Sequence, residues 1–253
     1  MILVKIGGSV ITDKNAYRTF REDPCRKIIR TLAGLKEQLI ITHGAGSFGH
    51  MLAKESGFPK KFNQGDEHDF SAIHRDVTEL NSMVLGVMLE EGFSPLLIPT
   101  QSIFSDQSRD YSSFQRYLTM GFTPVGVGDV LLDEGMVKII SADDLLLGLS
   151  SVFKPELVIF FTDVDGIFDK DPKTSSGAKL LKTIDRNISF HEVNNDVTGG
   201  MKSKYEENTE DKKAFREGRR HEWQQPRTIA KHWQGRLHRD SDLIGRKDRD
   251  AQN

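Results

Sequence analysis

Glycine-rich turns stand at two points of this chain where chemistry could be done, one opened by a lysine and the other flanked by histidines. Lys5-Ile6-Gly7-Gly8-Ser9 follows the apolar run Ile2-Leu3-Val4, and His43-Gly44-Ala45-Gly46-Ser47-Phe48-Gly49-His50 follows Leu39-Ile40-Ile41-Thr42. Glycine lets the backbone turn its N–H groups toward a ligand with no Cβ in the way. A strand that feeds such a turn into a helix N-terminus makes an anion site, and phosphate is the usual anion. Two such turns imply two phosphate groups held close together, the geometry of phosphoryl transfer from a donor to an acceptor. Lys5 would face the transferring phosphate while the amides of Gly7, Gly8 and Ser9 cradle its oxygens. The same residues also suit a tight strand–helix turn with a surface lysine. No G-x-x-x-x-G-K-[ST] occurs, so this is not the Walker arrangement. His50, just inside the next helix, has the chemistry to hydrogen-bond a bound phosphate, or to stand on a helix surface.

Gly44-Ala45-Gly46-Ser47-Phe48-Gly49 also fits G-x-G-x-x-G, which makes a dinucleotide site the competitor. That fingerprint needs a second strand ending in Asp or Glu about 20 residues on. The stretch there, residues 57–66, has no apolar run and carries Gly57, Pro59 and Gly65. That absence weighs against the dinucleotide reading without eliminating it. Further on, Asp163-Val164-Asp165-Gly166-Ile167-Phe168 ends the longest apolar strand, with Lys170 close behind. Parallel sheets place ligands at that end of their strands, although an Asp-Gly turn reads the same way. Residues 196–204 make a third glycine turn through Gly199 and Gly200, followed by Lys202 and Lys204. It could bring a second cation to the phosphates, or simply open a polar helix.

The elements that must position these residues alternate in type. Ile2–Ile6, 38–43, 95–99, Thr123–Val127, 137–140 and Leu157–Thr162 read as buried strands. Residues 25–37, 72–91, 112–120 and 143–153 read as helices, with Val77, Leu80, Val84, Val87 and Met88 on one face of the second. Residues 58–69 and 105–110 read as loops. Such alternation argues an α/β fold whose mainly parallel sheet is covered on both faces. Over 253 residues the net charge is −2, which gives no sign of nucleic-acid or membrane-surface binding. The single Cys25 excludes an internal disulfide framework and suits a reducing cytoplasm. No stretch approaches the ~20 apolar residues of a membrane span, and no signal peptide is visible at Met1.

In this order the pieces resemble the amino acid kinase superfamily, and within it the archaeal-type isopentenyl phosphate kinases. The carrying residues are 5–14, 43–50, Gly128-Asp129-Val130, 162–168 and 196–204. The resemblance spans residues 1 to about 206, and the 43–50 block is its most specific part. It implies a three-layer α/β/α sandwich, with an acceptor lobe over residues 1–138 and an ATP lobe over 139–206. It also implies ATP-dependent phosphorylation of isopentenyl phosphate to isopentenyl diphosphate, with Mg²⁺ held mainly by ATP, no protein metal ligand, and a homodimer. Lys5 and Lys204 would neutralise the β/γ-phosphates, Lys14 would steady the donor side, and Asp144 would orient the catalytic lysines. Gly7, Gly8, Ser9, Gly46 and Gly200 would give backbone donors, and Asp163, Gly166, Phe168 and Lys170 would border the nucleotide. Ala45, His50 and Gly128 would face the acceptor phosphate. Phe70, Ile73, Val130 and Ile140, with Met83 and Val87, are candidates for the apolar pocket of its prenyl tail, although ordinary core suits most of them better. One departure is visible: Ser141-Ala142-Asp143-Asp144 has Ala142 where the family has glycine. The alternatives are another small-phosphate or phosphonate kinase of the superfamily, or a non-catalytic nucleotide-binding protein.

From Asn208 onward the chain is polar and shows neither helical nor strand period. The family's closing Asn-Gly-x-x-Pro turn and final Gly-Thr-Val-Ile strand are missing. Back-translation moved forward by one base allows them: with a free choice of synonymous codons, residues 221–228 can read Met-Asn-Gly-Asn-Asn-Pro-Glu-Arg, and 232–243 can end in Gly-Thr-Val-Ile. The tryptophan codons of Trp223 and Trp233 each force a glycine in that frame. The slip falls near Glu206 or Glu207. This reading expects residues 207–253 to be an aberrant tail. It expects them to form no family-like terminal strands, an unpaired sheet edge to remain, and the chain to lack part of its nucleotide site. The competing reading is a divergent polar extension.

Overall fold

A computed structural model describes residues 1–105, 108–163 and 177, and the backbone of Arg227–His232. In chain order the elements are β1 (Ile2–Ile6), α1 (Gly8–Ile11), α2 (Glu22–Ala33), β2 (Leu39–His43), a single 3₁₀ turn (Gly46–Phe48), α3 (His50–Glu55), β3 (Lys60–Lys61) and α4 (Glu67–Glu90). There follow β4 (Pro95–Ile98), α5 (Thr100–Ile103), β5 (Phe104–Ser105), β6 (Ser108–Arg109), α6 (Ser112–Thr119), β7 (Thr123–Val127), β8 (Asp129–Asp133), β9 (Met136–Ile140), α7 (Ala142–Phe153), β10 (Leu157–Thr162) and β11 (Arg227–His232).

The central sheet runs β11-β10-β1-β2-β7-β4, and every neighbouring pair is parallel. All five residues of β1 are buried. A strand covered on both faces has no polar side to alternate with, so its sequence is nearly continuously apolar. One face packs on α2 and α4 through Val4, Ile6, Ile28, Leu80 and Val84. The other packs on α6 and α7 through Leu3, Ile40, Phe114 and Leu145. Cys25, Ile28, Ile29 and Leu32 turn one stripe of α2 inward at the three-to-four spacing a helix requires. The result is a three-layer α/β/α sandwich with a mainly parallel sheet.

Three expectations are corrected. Residues 137–140 do not join the central sheet. They belong to β9, which pairs antiparallel with β8 and β3 in a separate small sheet. Glu134 and Gly135 both have positive φ, 50° and 73°. That is the primed turn that lets two strands fold straight back, so β8 and β9 must be a hairpin. Residues 58–69 and 105–110 are not plain loops. Lys60–Lys61 is a strand of that sheet, α4 starts at Glu67 with acidic Glu67 and Asp69 favouring its N-terminus, and β5 pairs with β6. Finally, the outer edge of β10 is not open. β11 lies along it in parallel from Leu157↔Arg227 to Thr162↔His232. An edge strand presents a row of unpaired N–H and C=O groups, and an extended six-residue segment satisfies them with no need of a family sequence.

Candidate active site

β1 and β2 lie side by side, so their C-terminal ends deliver the two glycine turns to the same place. The turns touch. A Cβ built on Gly8 would lie 2.7 Å from Gly46 Cα, and one on Gly44 would lie 2.9 Å from Gly8 N. Gly46 has φ +51°, and its Cβ would meet Gly8 O at 2.8 Å and press on the Thr12 side chain. Only glycine fits such a crossing. Thr12, fully buried, ties the turns together: its hydroxyl donates to Gly8 O (2.7 Å) and accepts from Ser47 N (3.0 Å). Gly7 N donates to Phe161 O of β10 (2.8 Å), which fixes the first turn against the third strand end.

Lys5 is set by strand parity. Leu3 faces α7, so Lys5, two residues on, faces it too, at the strand's C-terminal end. Its Nζ pairs with Asp143 Oδ2 at 3.0 Å, and both side chains are largely buried, 10% and 17% exposed. The carboxylate that meets Lys5 is thus that of Asp143, not the expected Asp144. Asp144 closes a capping box at the start of α7: Oδ2 accepts from Ser141 N (2.6 Å) and Ser141 Oγ (2.8 Å), while Asp144 N donates back to Ser141 Oγ (3.1 Å). A capping box requires its acid at the third helical position, which leaves the second, Asp143, to face β1. Ala142, the departure from glycine, is buried, and its N lies 2.9 Å from where a Cβ of Gly128 would stand.

Residues 12–21 form a strap over both turns. Thr12 bridges Phe20, and Asp13 N donates to Thr19 O (2.9 Å). At its tip Lys14 Nζ pairs with Asp163 Oδ2 at 2.7 Å. An open pocket of ≈ 360 Å³ lies there, lined by Ser9, Thr12, Asp13, Lys14, Asn15, Arg21 and Asp163. The expected donor-side residues Ser9, Lys14 and Asp163 therefore converge.

On the other side of the crossing, His50 is the first residue of α3 and is exposed. Ala45 packs with Phe70, Ile73 and Val130 in one apolar cluster formed by α3, α4 and the β8–β9 hairpin. Three of the four expected tail-pocket residues are thus together. Ile140 is not with them; it packs on the α5–α7 core, and Met83 and Val87 belong to the β1–α2–α4 core. Beside the cluster, buried Asp129 accepts from Gln101 Nε2 (2.9 Å) and lies 2.6 Å from His74 Nδ1, while Gln101 Nε2 also donates to Val130 O (3.1 Å). Burial pushes the Asp129 carboxyl up despite these partners. His43, fully buried at the end of β2, donates from Nε2 to Asn81 Oδ1 (3.1 Å), and burial holds its imidazole below the usual range.

Gly166, Phe168, Lys170, Gly200 and Lys204 lie outside the described residues. Sequence reasoning missed Thr12, Ser47 and Asp143. Strand parity could have put Lys5 against the α7 start, but nothing in the sequence separates Asp143 from Asp144 except the capping rule. Thr12 carried no signal, since its value comes from a contact with residue 47.

Comparison with known proteins agrees with this geometry. The amino acid kinase family model matches residues 1–210. The chain is 43% identical to the isopentenyl phosphate kinase of Thermoplasma acidophilum over 219 residues, 86% of this chain and 89% of that protein. It is 34% identical to the isopentenyl phosphate kinase of Methanothermobacter thermautotrophicus over 226 residues, 82% of this chain and 85% of that one. The crystal structure of T. acidophilum isopentenyl phosphate kinase in a product complex superposes with a TM-score of 0.73 at 40% identity, covering 82% of this chain and 84% of the other.

Proposed function

The chain belongs to the amino acid kinase family, and we propose that it transfers the γ-phosphoryl group of ATP to isopentenyl phosphate, yielding isopentenyl diphosphate and ADP. The observation that carries this reading is the crossing of the two glycine turns, with a lysine on one side and an apolar cluster on the other. Gly8 and Gly46 leave room at their contact for nothing larger than hydrogen, so both turns offer bare backbone amides toward one junction. Polyphosphate fits such a cradle. The acceptor oxygen is already anionic, so no general base is required, and catalysis reduces to positioning and charge neutralisation.

In this reading Lys5 neutralises charge on the transferring group, and Asp143 keeps its ammonium aimed. Lys14 steadies the donor side at the tip of the strap, with Ser9 and Asp163. Gly8, Ser9 and Gly46 donate backbone N–H groups; Gly7, expected as a further donor, instead spends its N–H on Phe161 O and shapes the turn. His50 and Ala45 hold the acceptor phosphate at the α3 N-terminus. Phe70, Ile73 and Val130 cover the short prenyl tail, and Gly128 lets the β8 strand start close to it. Bound to the ATP phosphates, Mg²⁺ would supply further charge neutralisation there. Lys204, Gly200, Gly166, Phe168 and Lys170 complete the donor side on the family pattern, in an ATP lobe over residues 139–206 that faces an acceptor lobe over 1–138. A homodimer in the cytoplasm belongs to the same reading; among the described residues no helix is long and apolar enough to cross a membrane.

We also infer that residues after Glu206 or Glu207 are encoded out of frame. The family match ends at residue 210, beside the point from which a one-base shift, with synonymous codons that permit it, could encode the family's closing sequence. Genomic DNA across codons 200–215 tests this directly. The function is tested by coupled ADP release, from this chain and from the frame-restored chain, with isopentenyl phosphate, UMP, glutamate, aspartate and carbamate. Isopentenyl phosphate should be turned over fastest, and His50→Ala should lower kcat/KM by roughly 10²-fold. Equal or greater turnover with UMP overturns the acceptor assignment.

A further inference from the structure

We propose that Asp76, within α4 and in neither glycine turn, is the positioning residue that holds the strap and so places Lys14. The inference rests on the donor-side reading of Lys14. Asp76 is 1% exposed and stands among the buried apolar residues Ile73, Val77 and Leu80 of α4. A carboxylate is costly there unless its charge is met. Two of its three partners come from the strap: the Tyr17 hydroxyl donates to Oδ2, and Arg18 Nε lies 3.4 Å from Oδ1. The third is its neighbour Arg75, whose Nη1 donates to Oδ1 at 2.8 Å. Arg18 also pairs with Glu79, one turn further along α4.

The strap is held in a conformation that needs holding. Arg18 has φ 51°, the left-handed region that a residue with Cβ seldom enters. Its N–H reaches Ser47 O of the second glycine turn at 3.5 Å, and Thr19 N reaches Ser47 Oγ at 3.4 Å. Lys14 sits four residues before Arg18, on the part of the strap that lies over the donor pocket. Three residues before Asp76 on α4 is Ile73, in the apolar cluster of the acceptor side. One buried carboxylate thus joins the helix that lines the acceptor pocket to the loop that reaches the donor. A residue that served stability alone would have no reason to act through Lys14.

That difference defines the test. Mg·ATP affinity is measured by titration calorimetry on the full chain, on Asp76→Asn, on Lys14→Ala and on the double variant. Asp76→Asn should weaken Mg·ATP by about tenfold, and should add less than about twofold in the Lys14→Ala background, because both changes remove the same contact. Losses that multiply in the double variant, or an Asp76→Asn chain that binds as tightly as the parent, overturn the inference. If Lys14→Ala binds as tightly as the parent, the donor-side reading fails and the inference falls with it; if this chain binds no Mg·ATP, the same four titrations are made on the frame-restored chain and the same outcomes decide. Should Asp76→Asn not fold, Tyr17→Phe with Arg18→Gln releases the same tether from the strap side, and the same outcomes decide.

Discussion

Gly8→Ala isolates the turn crossing, because it adds one methyl group and nothing else. Gly8 opens α1 and has no positive φ, so alanine adopts its backbone without strain. The new Cβ would stand 2.7 Å from Gly46 Cα and 3.2 Å from Gly44 C. Carbon atoms rest about 3.5–4.0 Å apart, so the two turns must separate by about 1 Å. Backbone lies on both sides, so no flexible side-chain end can give way instead. Displacement of about 1 Å between reacting groups costs on the order of 10²-fold in rate, about 2.7 kcal/mol. Overpacking adds about 1–3 kcal/mol of lost stability, and a chain of this size loses about 2–4 °C in Tm per kcal/mol. Coupled ADP release with isopentenyl phosphate gives the first quantity and a thermal melt the second. A Gly8→Ala chain with kcat/KM within about threefold of the parent would refute the idea that the crossing sets the reacting distance.

Gly86 supplies the opposite case. It lies inside α4 with nothing within 4 Å of a built Cβ, so Gly86→Ala should raise stability by about 0.5–1 kcal/mol, read as a higher urea midpoint. Lys5→Ala should lower kcat far more than it raises KM for ATP, since the ammonium acts on charge that develops in transfer; unchanged kcat would leave Lys5 a structural partner of Asp143. His43 sets a pH dependence. Burial lowers its pKa from 6.5, so below about 6.5 the unfolded chain takes a proton that the native chain refuses. Stability from this group is therefore present above that value and lost as pH falls toward the depressed native one. Urea midpoints between pH 7 and 5 should fall less steeply for His43→Gln than for the parent.

What the sequence disclosed, it disclosed through periodicity and glycine. Continuous apolar runs marked β1, β2, β7 and β10 as strands covered on both faces, and the stripe on α4 marked its buried side. The glycines marked both turns, because a backbone that must approach another backbone leaves a residue type as its trace. The β8–β9 hairpin escaped notice because its turn, Glu134-Gly135, has only one glycine and sits between two short runs that read as parts of a parallel sheet. Asp143 escaped because two adjacent carboxylates look alike until the helix start assigns them opposite directions. Pocket residues escaped in part for a related reason. Ile140 and Val130 sit on paired strands of one hairpin, yet they face different cores, and a one-residue change of register or face reverses such an assignment.

Lys5 argues for function over stability. It interrupts the apolar run of β1 with a cation that is almost wholly buried and paired with Asp143. Replacing such a pair by apolar side chains of similar size commonly leaves a protein as stable or more so. The fold therefore gains little from Lys5 as a structural element. The same junction holds further departures from local ease: a positive φ at Gly46, another at Arg18, and a buried Thr12 hydroxyl spanning the two turns. Each is individually unfavourable or restrictive, and each bears on where Lys5 and the bare amides stand relative to one another. Local rules broken together at the C-terminal ends of parallel strands mark a site where position, and not stability, has fixed the residues.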